Sequence, residues 1–216
     1  MAEDNPAPDT HESPGSEPVQ RHTSMRDGLK TIAVLASALI FALLMIGFVF
    51  QSYQVSGQSM QNTLQDQDRL LVWKLPRTWA SITGHQYVPK RGDILIINAP
   101  NLSACEQSGR QIIKRVIGLP GERVRYQDGK YTVYNRATPK GFNPDATLPY
   151  GKTGLPLFSD SSERQVDVSL GPNQLFVSGD HRGNSCDSRS IGPITTDEIV
   201  GKLLVRILPL NKAERF

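Results

Sequence analysis

The sequence predicts a mostly β domain that follows a single N-terminal transmembrane helix. Two observations predict this fold class. The 20 residues Thr31–Phe50 carry no charge, and beyond them the apolar residues occur in short runs separated by turn residues, which is typical of strands. The chain has 216 residues, of which 38% are hydrophobic, so it can form one domain of ordinary size with appendages.

The first 25 residues are rich in Pro, Glu, Asp, Ser and His and contain almost no large apolar side chains. A segment of this composition buries too little apolar surface to offset the entropy lost on ordering. We therefore interpret residues 1–30, up to the start of the apolar run, as a disordered cytoplasmic tail.

The apolar run at 31–50 predicts a membrane anchor. At 1.5 Å per residue it reaches about 30 Å, the thickness of one hydrocarbon core. A cleavable signal peptide is the alternative, but its apolar stretch spans about 7–15 residues and ends at a small-residue cleavage site. The sequence QSYQ at 51–54 is not such a site, which favours an uncleaved anchor.

The orientation of the anchor follows from the charges that flank it. Arg21, Arg26 and Lys30 precede the helix, and no Lys or Arg occurs between positions 51 and 68. By the positive-inside rule the N-terminus lies in the cytoplasm. Residues 51–216 are then predicted to be extracytoplasmic.

Short apolar or β-branched runs predict the strands of the outer domain. Asp128-Gly129 indicates a hairpin, because both residues tolerate positive φ, and Thr195 with Glu198 fits a capping box. Residues 135–165 are rich in Gly, Pro, Ser and Asp, so we interpret them as a loop-rich insertion or a small second lobe. The predicted strands are Arg69–Lys74, Asp93–Asn98, Gln111–Ile117, Val124–Tyr126, Lys130–Tyr134, Gln174–Ser178 and Ile199–Leu208.

Charge and cysteine content exclude several classes of function. The net charge is +3 and no long Lys/Arg run occurs, so nucleic acid is not expected as a partner. The two cysteines, Cys105 and Cys186, do not have the clustered spacing of a zinc site. No metal or cofactor is expected, and in an oxidising compartment the two thiols can form one disulfide.

Ser59 lies in the polar segment SGQSMQNTL, soon after the predicted anchor. A serine hydroxyl is a weak nucleophile unless a base lies within hydrogen-bond reach. Taken alone, such a segment is more often a simple polar turn than a catalytic one.

Lys114 lies in the predicted strand QIIKRVI. Because strand side chains alternate, Lys114 shares an apolar face with Ile112 and Val116, and Arg115 points the other way. Burial disfavours the ammonium and lowers its pKa, and such a lysine can accept a proton from a serine. The alternative is an edge-strand lysine whose amine extends to water.

The third informative segment is the polar loop SGDHRGNSCDSRS, which follows an apolar strand. The pairs Asp187–Arg189 and Asp180–Arg182 are predicted to brace this loop, which presents Ser185 and Ser188. The alternative is a surface loop with exposed ion pairs, each of which contributes little to stability.

Taken together, these segments resemble the bacterial type I signal peptidases. The resemblance covers residues 31–206 and preserves the order of anchor, serine box SGQSM-x-x-TL, lysine box KRVIGLPGE, variable insertion, and a final GD-x-R loop with S-x-DSR. It implies a mostly antiparallel, β-barrel-like signal peptidase fold with its active site near the membrane surface. It also implies a serine endopeptidase that removes signal peptides from secreted preproteins after small residues of the Ala-x-Ala type, without a cofactor.

The resemblance assigns roles to individual residues. Ser59 resembles the nucleophile and Lys114 the general base, and Met60 matches a wall of the substrate pocket. Ser185 matches a serine that orients the lysine amine, and the Asp187–Arg189 pair matches the brace of that serine. The main-chain N–H of Ser59 is expected to contribute to the oxyanion hole.

The chain departs from the family pattern at Gly57, Asn62 and His181, and its two cysteines could form a bridge. Some relatives carry a serine hydroxyl in the oxyanion hole where this chain has Gly57, so other donors are needed there. The family usually has Pro in place of Asn62, and Pro would stiffen the turn. His181 replaces the usual Asn of the Gly-Asp loop. A bridge from Cys105 to Cys186 would tie the lysine segment to that loop.

Three other protein classes, and a different catalytic triad, are alternatives to this interpretation. A self-cleaving repressor-type serine–lysine peptidase would be soluble and carry a DNA-binding region, which the anchor argues against. A sortase-like cysteine transpeptidase would use Cys186, His181 and an arginine, and a Ser-His-Asp triad would use His181 as its base. The segment order and the lysine box favour neither. A membrane-tethered β domain that only binds peptides is separated from the peptidase by an activity test.

Overall fold

A computed structural model describes residues 25–61, 63–99, 111–147 and 165–216. The chain divides into two compact units, Met1–Phe41 and Ala42–Phe216.

The N-terminal helix α1 covers Met25–Leu44. A π-helical turn, Met45–Val49, follows it. The apolar span Asp27–Gly47 has a mean hydropathy of 2.4, and none of it is buried within the protein. Its length and composition suit a helix that crosses a bilayer. The helix begins six residues before the predicted Thr31, and extended structure replaces it at the predicted end, Phe50.

The second unit is mostly β, as predicted. Among the described residues it contains eleven strands and the helices α2, Leu75–Thr83, and α3, Ser188–Ile191. The strands are β1 Phe50–Gln54, β2 Arg69–Trp73, β3 Ile94–Asn98, β4 Gln111–Gly118, β5 Arg123–Gln127, β6 Lys130–Tyr134, β7 Val166–Ser169, β8 Gln174–Ser178, β9 Ile194–Thr195, β10 Ile199–Leu208 and β11 Glu214–Arg215.

The strands form two antiparallel sheets. The larger has the order β1-β2-β10-β3-β4-β8-β9, with β11 paired to β10, and the smaller has the order β6-β5-β7. The barrel-like part of the prediction needs correction, because among the described strands the larger sheet stays open. Closure requires its two end strands to pair, but β9 has two residues and pairs with β8, while β1 pairs with β2.

All seven predicted strands are present, and their bounds differ from the prediction by one or two residues at most. The Asp128-Gly129 turn is also present. In the predicted capping box, the carboxylate of Glu198 accepts from the N–H of Thr195 at 2.6 Å. The predictions missed β1, β7, β9, β11, α2 and α3. For α2 two helix signals were available: a proline in the first turn and Gly84 at its end, with φ of +69°.

The predicted insertion at 135–165 is described only in part. Its described part contains a 3-10 turn at Pro144–Ala146, and residues 148–164 lie outside the described residues.

Strand β4 is buried on both of its faces. Val116 packs in a core cluster of the larger sheet, and the next residue, Ile117, packs in the cluster of the smaller sheet. Since neighbouring side chains point to opposite faces, both Lys114 and Arg115 are withdrawn from water. The sequence predicted that Arg115 points away from Lys114 but did not predict its burial. In the structure Arg115 is as deeply buried as Lys114.

Gly118, at the end of β4, lies where the two sheets pack closely. A Cβ at this position would collide with Val124 and lie 2.9 Å from Cδ1 of Leu170. Gly118→Ala is expected to lower the free energy of unfolding by about 1–3 kcal/mol, the usual cost of overpacking. Thermal denaturation of the full chain in detergent measures this. Gly28→Ala, whose Cβ meets nothing within 4 Å, is the control, and an unchanged melting temperature for Gly118→Ala would contradict the close packing.

Candidate active site

Ser59 lies on a turn in the loop that joins β1 to β2. The ends of this loop are held together, because the N–H of Val55 donates to the carbonyl of Asp68 at 2.9 Å. Gly57 has φ of +100°, and its N–H donates to Oδ1 of Asp66 at 2.8 Å. A serine at position 57 would be strained in this conformation, so glycine suits the local backbone.

Met60, next to Ser59, is a core residue. It is buried in a cluster with Leu64, Leu70 and Ile94, and its carbonyl accepts from the N–H of Leu64 at 2.8 Å. Met60 therefore fixes the serine turn to the sheet. Its predicted role as a wall of the substrate pocket stays a prediction.

The amine of Lys114 contacts the hydroxyl of Ser59. Nζ donates to Oγ of Ser59 at 2.8 Å and to the carbonyl of Ile113 at 3.0 Å. The lysine is 2% exposed, and this burial lowers its pKa from 10.5 to about 8, although the carboxylates of Asp187 and Asp180 oppose the shift. A substantial fraction of the amine is therefore neutral near physiological pH, and a neutral amine can accept the proton of Ser59.

The predicted pair of Asp187 and Arg189 is present and buried. The Asp187 carboxylate accepts from Nε and Nη2 of Arg189 at 2.9 and 2.8 Å, and from the N–H of Gly179 at 3.0 Å. Burial alone would raise the pKa of this carboxyl, but the hydrogen bonds and the guanidinium outweigh burial and hold the pKa below its usual value. Arg189 also stacks on the ring of Tyr126 at 5.0 Å, so the loop is firmly braced.

The hydroxyl of Ser185 is buried beside this brace. It lies close enough to Asp187 to help lower the pKa of the carboxyl, yet it makes no hydrogen bond of acceptable geometry within the described residues. A hydrogen bond needs a suitable angle as well as a short distance. Ser185 and the carbonyl of Ser59 both lie against Gly179. The orienting role of Ser185 on Lys114 stays a prediction.

The predicted pairing of Asp180 with Arg182 is wrong. Asp180 accepts from Nε and Nη2 of Arg115 at 2.9 and 2.7 Å, and from the hydroxyl of Thr63 at 2.5 Å. Arg182 instead makes two 2.7 Å bonds to Asp145, in the described part of the insertion. The physical reason is that both guanidinium groups are buried, and a buried charge needs a bidentate partner of opposite sign.

The buried network of Thr63, Arg115 and Asp180 was missed by the sequence reasoning. It joins the serine loop, the lysine strand and the Gly-Asp loop. The available signal was Arg115 itself, a charge on a strand with apolar residues on both faces. Because these pairs are buried, the alternative of a loop with exposed ion pairs does not hold.

His181 contacts the serine turn through its backbone. Its N–H donates to the carbonyl of Ser59 at 3.0 Å, whereas Nδ1 of its ring is buried without a partner among the described residues. Oγ of Ser59 is hydrogen-bonded to Nζ of Lys114, and this contact favours the lysine over His181 as the base.

The two cysteines and Asn62 complete the predicted set. Cys186 is buried and disulfide-bonded. Its predicted partner, Cys105, lies outside the described residues, so the pairing stays a prediction. Asn62 also lies outside the described residues.

Comparison with known proteins identifies the family. The family described as "Signal peptidase, peptidase S26" matches residues 28–208. Signal peptidase I of Leptolyngbya laminosa is 29% identical over 218 residues, covering 97% of this chain and 93% of that protein. Signal peptidase I T of Bacillus subtilis (strain 168) is 34% identical over 176 residues, covering 81% of this chain and 82% of that protein.

Among solved structures, a signal peptidase I from Enterococcus faecalis V583 aligns with a TM-score of 0.36 and 23% identity, over 53% of this chain and 96% of that one. The assignment depends on the sequence matches, which run through the serine, lysine and Gly-Asp segments. This chain belongs to the bacterial type I signal peptidases of peptidase family S26, membrane-associated hydrolases that remove signal peptides.

Proposed function

We propose that the chain removes N-terminal signal peptides from secreted preproteins by a serine–lysine dyad and cuts after small residues of the Ala-x-Ala type. The observation that carries the proposal is the 2.8 Å contact between Nζ of the buried Lys114 and Oγ of Ser59. A nucleophile and a base in direct contact, away from water, are what covalent catalysis by serine requires.

The reaction proceeds in two halves. Neutral Lys114 takes the proton of Ser59 as Oγ attacks the scissile carbonyl, and the main-chain N–H of Ser59 stabilises the oxyanion. The lysine ammonium then protonates the leaving amine, which departs as the new N-terminus of the mature protein. Water, deprotonated by the same lysine, attacks the acyl-enzyme. The lysine then gives this proton to Oγ of Ser59 as the ester bond breaks and the signal peptide leaves.

The surrounding charges suit both protonation states of the base. Burial favours the neutral amine before the reaction, whereas the carboxylates of Asp187 and Asp180 favour the ammonium that forms during it. A pKa near the working pH allows the same group to accept and return a proton efficiently.

An extended substrate has a place to bind beside the dyad. Residues Gln111–Lys114 of β4 pair with β3 on one side, but pairing of β4 with β8 begins only at Arg115. Among the described strands, the other edge of this segment is therefore free for main-chain hydrogen bonds with a substrate strand. Such a strand presents alternate side chains to the enzyme, as selection at positions −1 and −3 requires.

The membrane arrangement follows from the same proposal. α1 serves as a single-pass anchor with the N-terminus in the cytoplasm, and the catalytic domain lies outside the membrane. Signal helices of preproteins reside in the same bilayer, so their cleavage segments emerge near the surface on which the catalytic domain is tethered.

The direct test incubates the full-length protein in detergent with a preprotein that carries an Ala-x-Ala site. We expect cleavage after the last Ala by the wild type and its loss in Ser59→Ala. Ser169→Ala changes an exposed serine on β7 and is the matched control. N-terminal sequencing of the product checks the position of the cut, and cleavage that persists in Ser59→Ala would contradict the assignment of the nucleophile.

The pH dependence of cleavage is a separate prediction. Only the neutral form of Lys114 can act as base, and its pKa is about 8, so kcat/KM is expected to rise with pH and to reach half its plateau near that value. A pH–rate profile of the full-length protein on one peptide substrate measures this. A profile that is flat between about pH 6 and 10 would exclude a titrating base with the lowered pKa.

A further inference from the structure

Two tyrosines of the smaller sheet reach the ion pair that braces the Gly-Asp loop. Tyr126 of β5 and Tyr131 of β6 lie opposite each other across the hairpin. The hydroxyl of Tyr126 accepts from Nη1 of Arg189 at 3.3 Å. The hydroxyl of Tyr131 lies 3.0 Å from Oγ of Ser178, which lies 3.1 Å from Oδ2 of Asp187. The smaller sheet therefore contacts one member of the ion pair directly and the other through a serine.

The donors and acceptors along this second path fix the direction of its hydrogen bonds. A serine hydroxyl carries one proton and accepts on its lone pairs. Oγ of Ser178 also lies 3.1 Å from the carboxylate of Asp187 and 3.2 Å from the carbonyl of Gly179, and both of these groups can only accept. Ser178 therefore donates to one of them and accepts the proton of Tyr131. The charged oxygen is the stronger acceptor, so the path runs from Tyr131 through Ser178 to Asp187.

The whole path is shielded from water, since Tyr131, Ser178 and Asp187 are each 0% exposed. Hydrogen bonds are electrostatically stronger in such surroundings. The charged groups that act on the phenol are Asp187, Arg189 and Arg182, and the guanidinium of Arg182 lies over its ring at 4.8 Å. Burial raises the pKa of Tyr131 above its ordinary value, and the charge of Asp187 adds to this effect. The phenol thus keeps its proton while the lysine base titrates.

The carboxylate at the end of the path acts on the catalytic lysine. Burial lowers the pKa of Lys114 to about 8, and among the charges that oppose this shift Asp187 has the larger effect and Asp180 the smaller. Arg189 acts in the opposite sense and assists the shift. Each hydrogen bond donated to Asp187 spreads its negative charge. If one donor is lost, more of that charge is left to favour the ammonium of Lys114.

We propose that Tyr131 is a positioning residue for the reaction, which acts through Ser178 to hold and partly neutralise the Asp187 carboxylate beside the lysine base. This inference rests on the proposed serine–lysine mechanism. The base must be neutral when the reaction begins, and a carboxylate that is held and partly neutralised allows the amine to lose its proton near neutral pH. The smaller sheet, which carries none of the residues of the dyad, thereby sets the pH at which the dyad works.

Tyr131→Phe tests the proposal, because it removes one hydroxyl and retains the ring that packs on Tyr126 at 4.6 Å. We expect the half-plateau pH of kcat/KM on a peptide substrate to rise by about half a unit to one unit, the effect of one ordinary hydrogen bond. At pH 7 the rate should fall by about three- to tenfold, and above about pH 10 it should come within about twofold of the wild type. Tyr134→Phe, at a half-buried tyrosine on the same strand, is the matched control.

A second variant tests whether the effect passes through the serine. Ser178→Ala removes the donor to Asp187 itself, so its shift should be at least as large as that of Tyr131→Phe. The double variant Tyr131→Phe/Ser178→Ala should match Ser178→Ala alone, because two residues on one path are not additive. Losses that multiply in the double variant would overturn the path through Ser178.

The pH profile separates this role from simple support of the fold. A loss by the same factor at every pH would mean that Tyr131 only stabilises the loop, and a profile that superimposes on the wild type would mean that its hydroxyl has no effect on the base. Thermal denaturation in detergent checks that each variant is folded.

A measurement without catalysis distinguishes this inference from the proposed function. The full-length protein is labelled with ¹³C-lysine, and the carbon next to Nζ of Lys114 is titrated by nuclear magnetic resonance, with Lys114→Met to assign the signal. If the wild type cleaves nothing, the proposed function fails. A higher pKa of Lys114 in Tyr131→Phe would still establish that the hydroxyl acts on the lysine, whereas equal values in both proteins would overturn the inference.

Discussion

Lys114→Met is expected to lower kcat/KM by at least about 10⁴-fold, since it removes the group that activates the nucleophile. Methionine has nearly the shape of the lysine stem, so the buried space in β4 stays filled. Rates on a peptide substrate measure the loss, and circular dichroism checks the fold. Lys130→Met, an exposed lysine on β6, should retain full activity. Cleavage at the wild-type rate by Lys114→Met would remove the lysine from the mechanism.

The same replacement is expected to stabilise the protein at neutral pH. The folded pKa of Lys114 is about 8, against 10.5 for an ordinary lysine. Between these values the unfolded chain binds more protons, so the wild-type free energy of unfolding rises as the pH increases. Below pH 8 the buried ammonium carries the whole penalty, about 3 kcal/mol by the shift in pKa.

Methionine removes this penalty but also the hydrogen bonds to Ser59 and Ile113, each worth about 1 kcal/mol. We therefore expect the free energy of unfolding to increase by about 1–2 kcal/mol at pH 7. Above about pH 10.5 the gain should disappear, because lysine is then neutral in both states. Denaturation at the two pH values checks the sign, and a less stable variant at pH 7 would contradict the lowered pKa.

Gly179→Ala is expected to reduce kcat/KM by about 10²-fold or more, the effect of a displacement of roughly 1 Å in a catalytic group. A Cβ at this position would collide with the carbonyl of Ser59 and with Oγ of Ser185. The carbonyl is main chain and also accepts from the N–H of His181, so it cannot yield without moving the nucleophile away from Lys114.

The control for this variant is Gly171→Ala, whose Cβ would meet only the flexible side chain of Gln174 at 3.3 Å. Steady-state kinetics should show a lower kcat for Gly179→Ala and little change for the control. Denaturation of both variants separates lost activity from lost folding. Unchanged kinetics for a folded Gly179→Ala would mean that the serine turn tolerates a shift.

The strands were predictable because each is a short apolar run bounded by turn residues, and β4 and β10 are clear examples. Helix α2 was harder to predict, because it is short and the exposed Trp79 and Ile82 obscure the usual apolar face, so that only the signals at its two ends were available. Sheet order and closure depend on pairings between distant segments, such as β2 with β10, which local patterns do not encode.

The contacts of the site also divide into those that the sequence could predict and those that depend on pairing between distant segments. Resemblance to the family predicted Ser59 and Lys114, and their contact spans 55 positions of sequence, so spacing alone could not have established it. Asp187 and Arg189 pair across two positions and could be predicted locally. Asp180 was assigned to the nearby Arg182, but its partner is Arg115, 65 positions away. Burial of that arginine inside the sheet determines the pairing, and burial was not visible in the sequence.

The contact between Arg182 and Asp145 has a consequence for redesign of this enzyme. The Gly-Asp loop is held from one side by the segment that follows β6 of the smaller sheet, through the carboxylate of Asp145 on the turn at Pro144–Ala146. Shortening the insertion to obtain a smaller protease would leave a buried guanidinium without its counter-ion if the deletion included this turn. The first part of the insertion therefore supports the Gly-Asp loop, which contacts the serine turn, and a shortened variant should retain the turn at Pro144–Ala146.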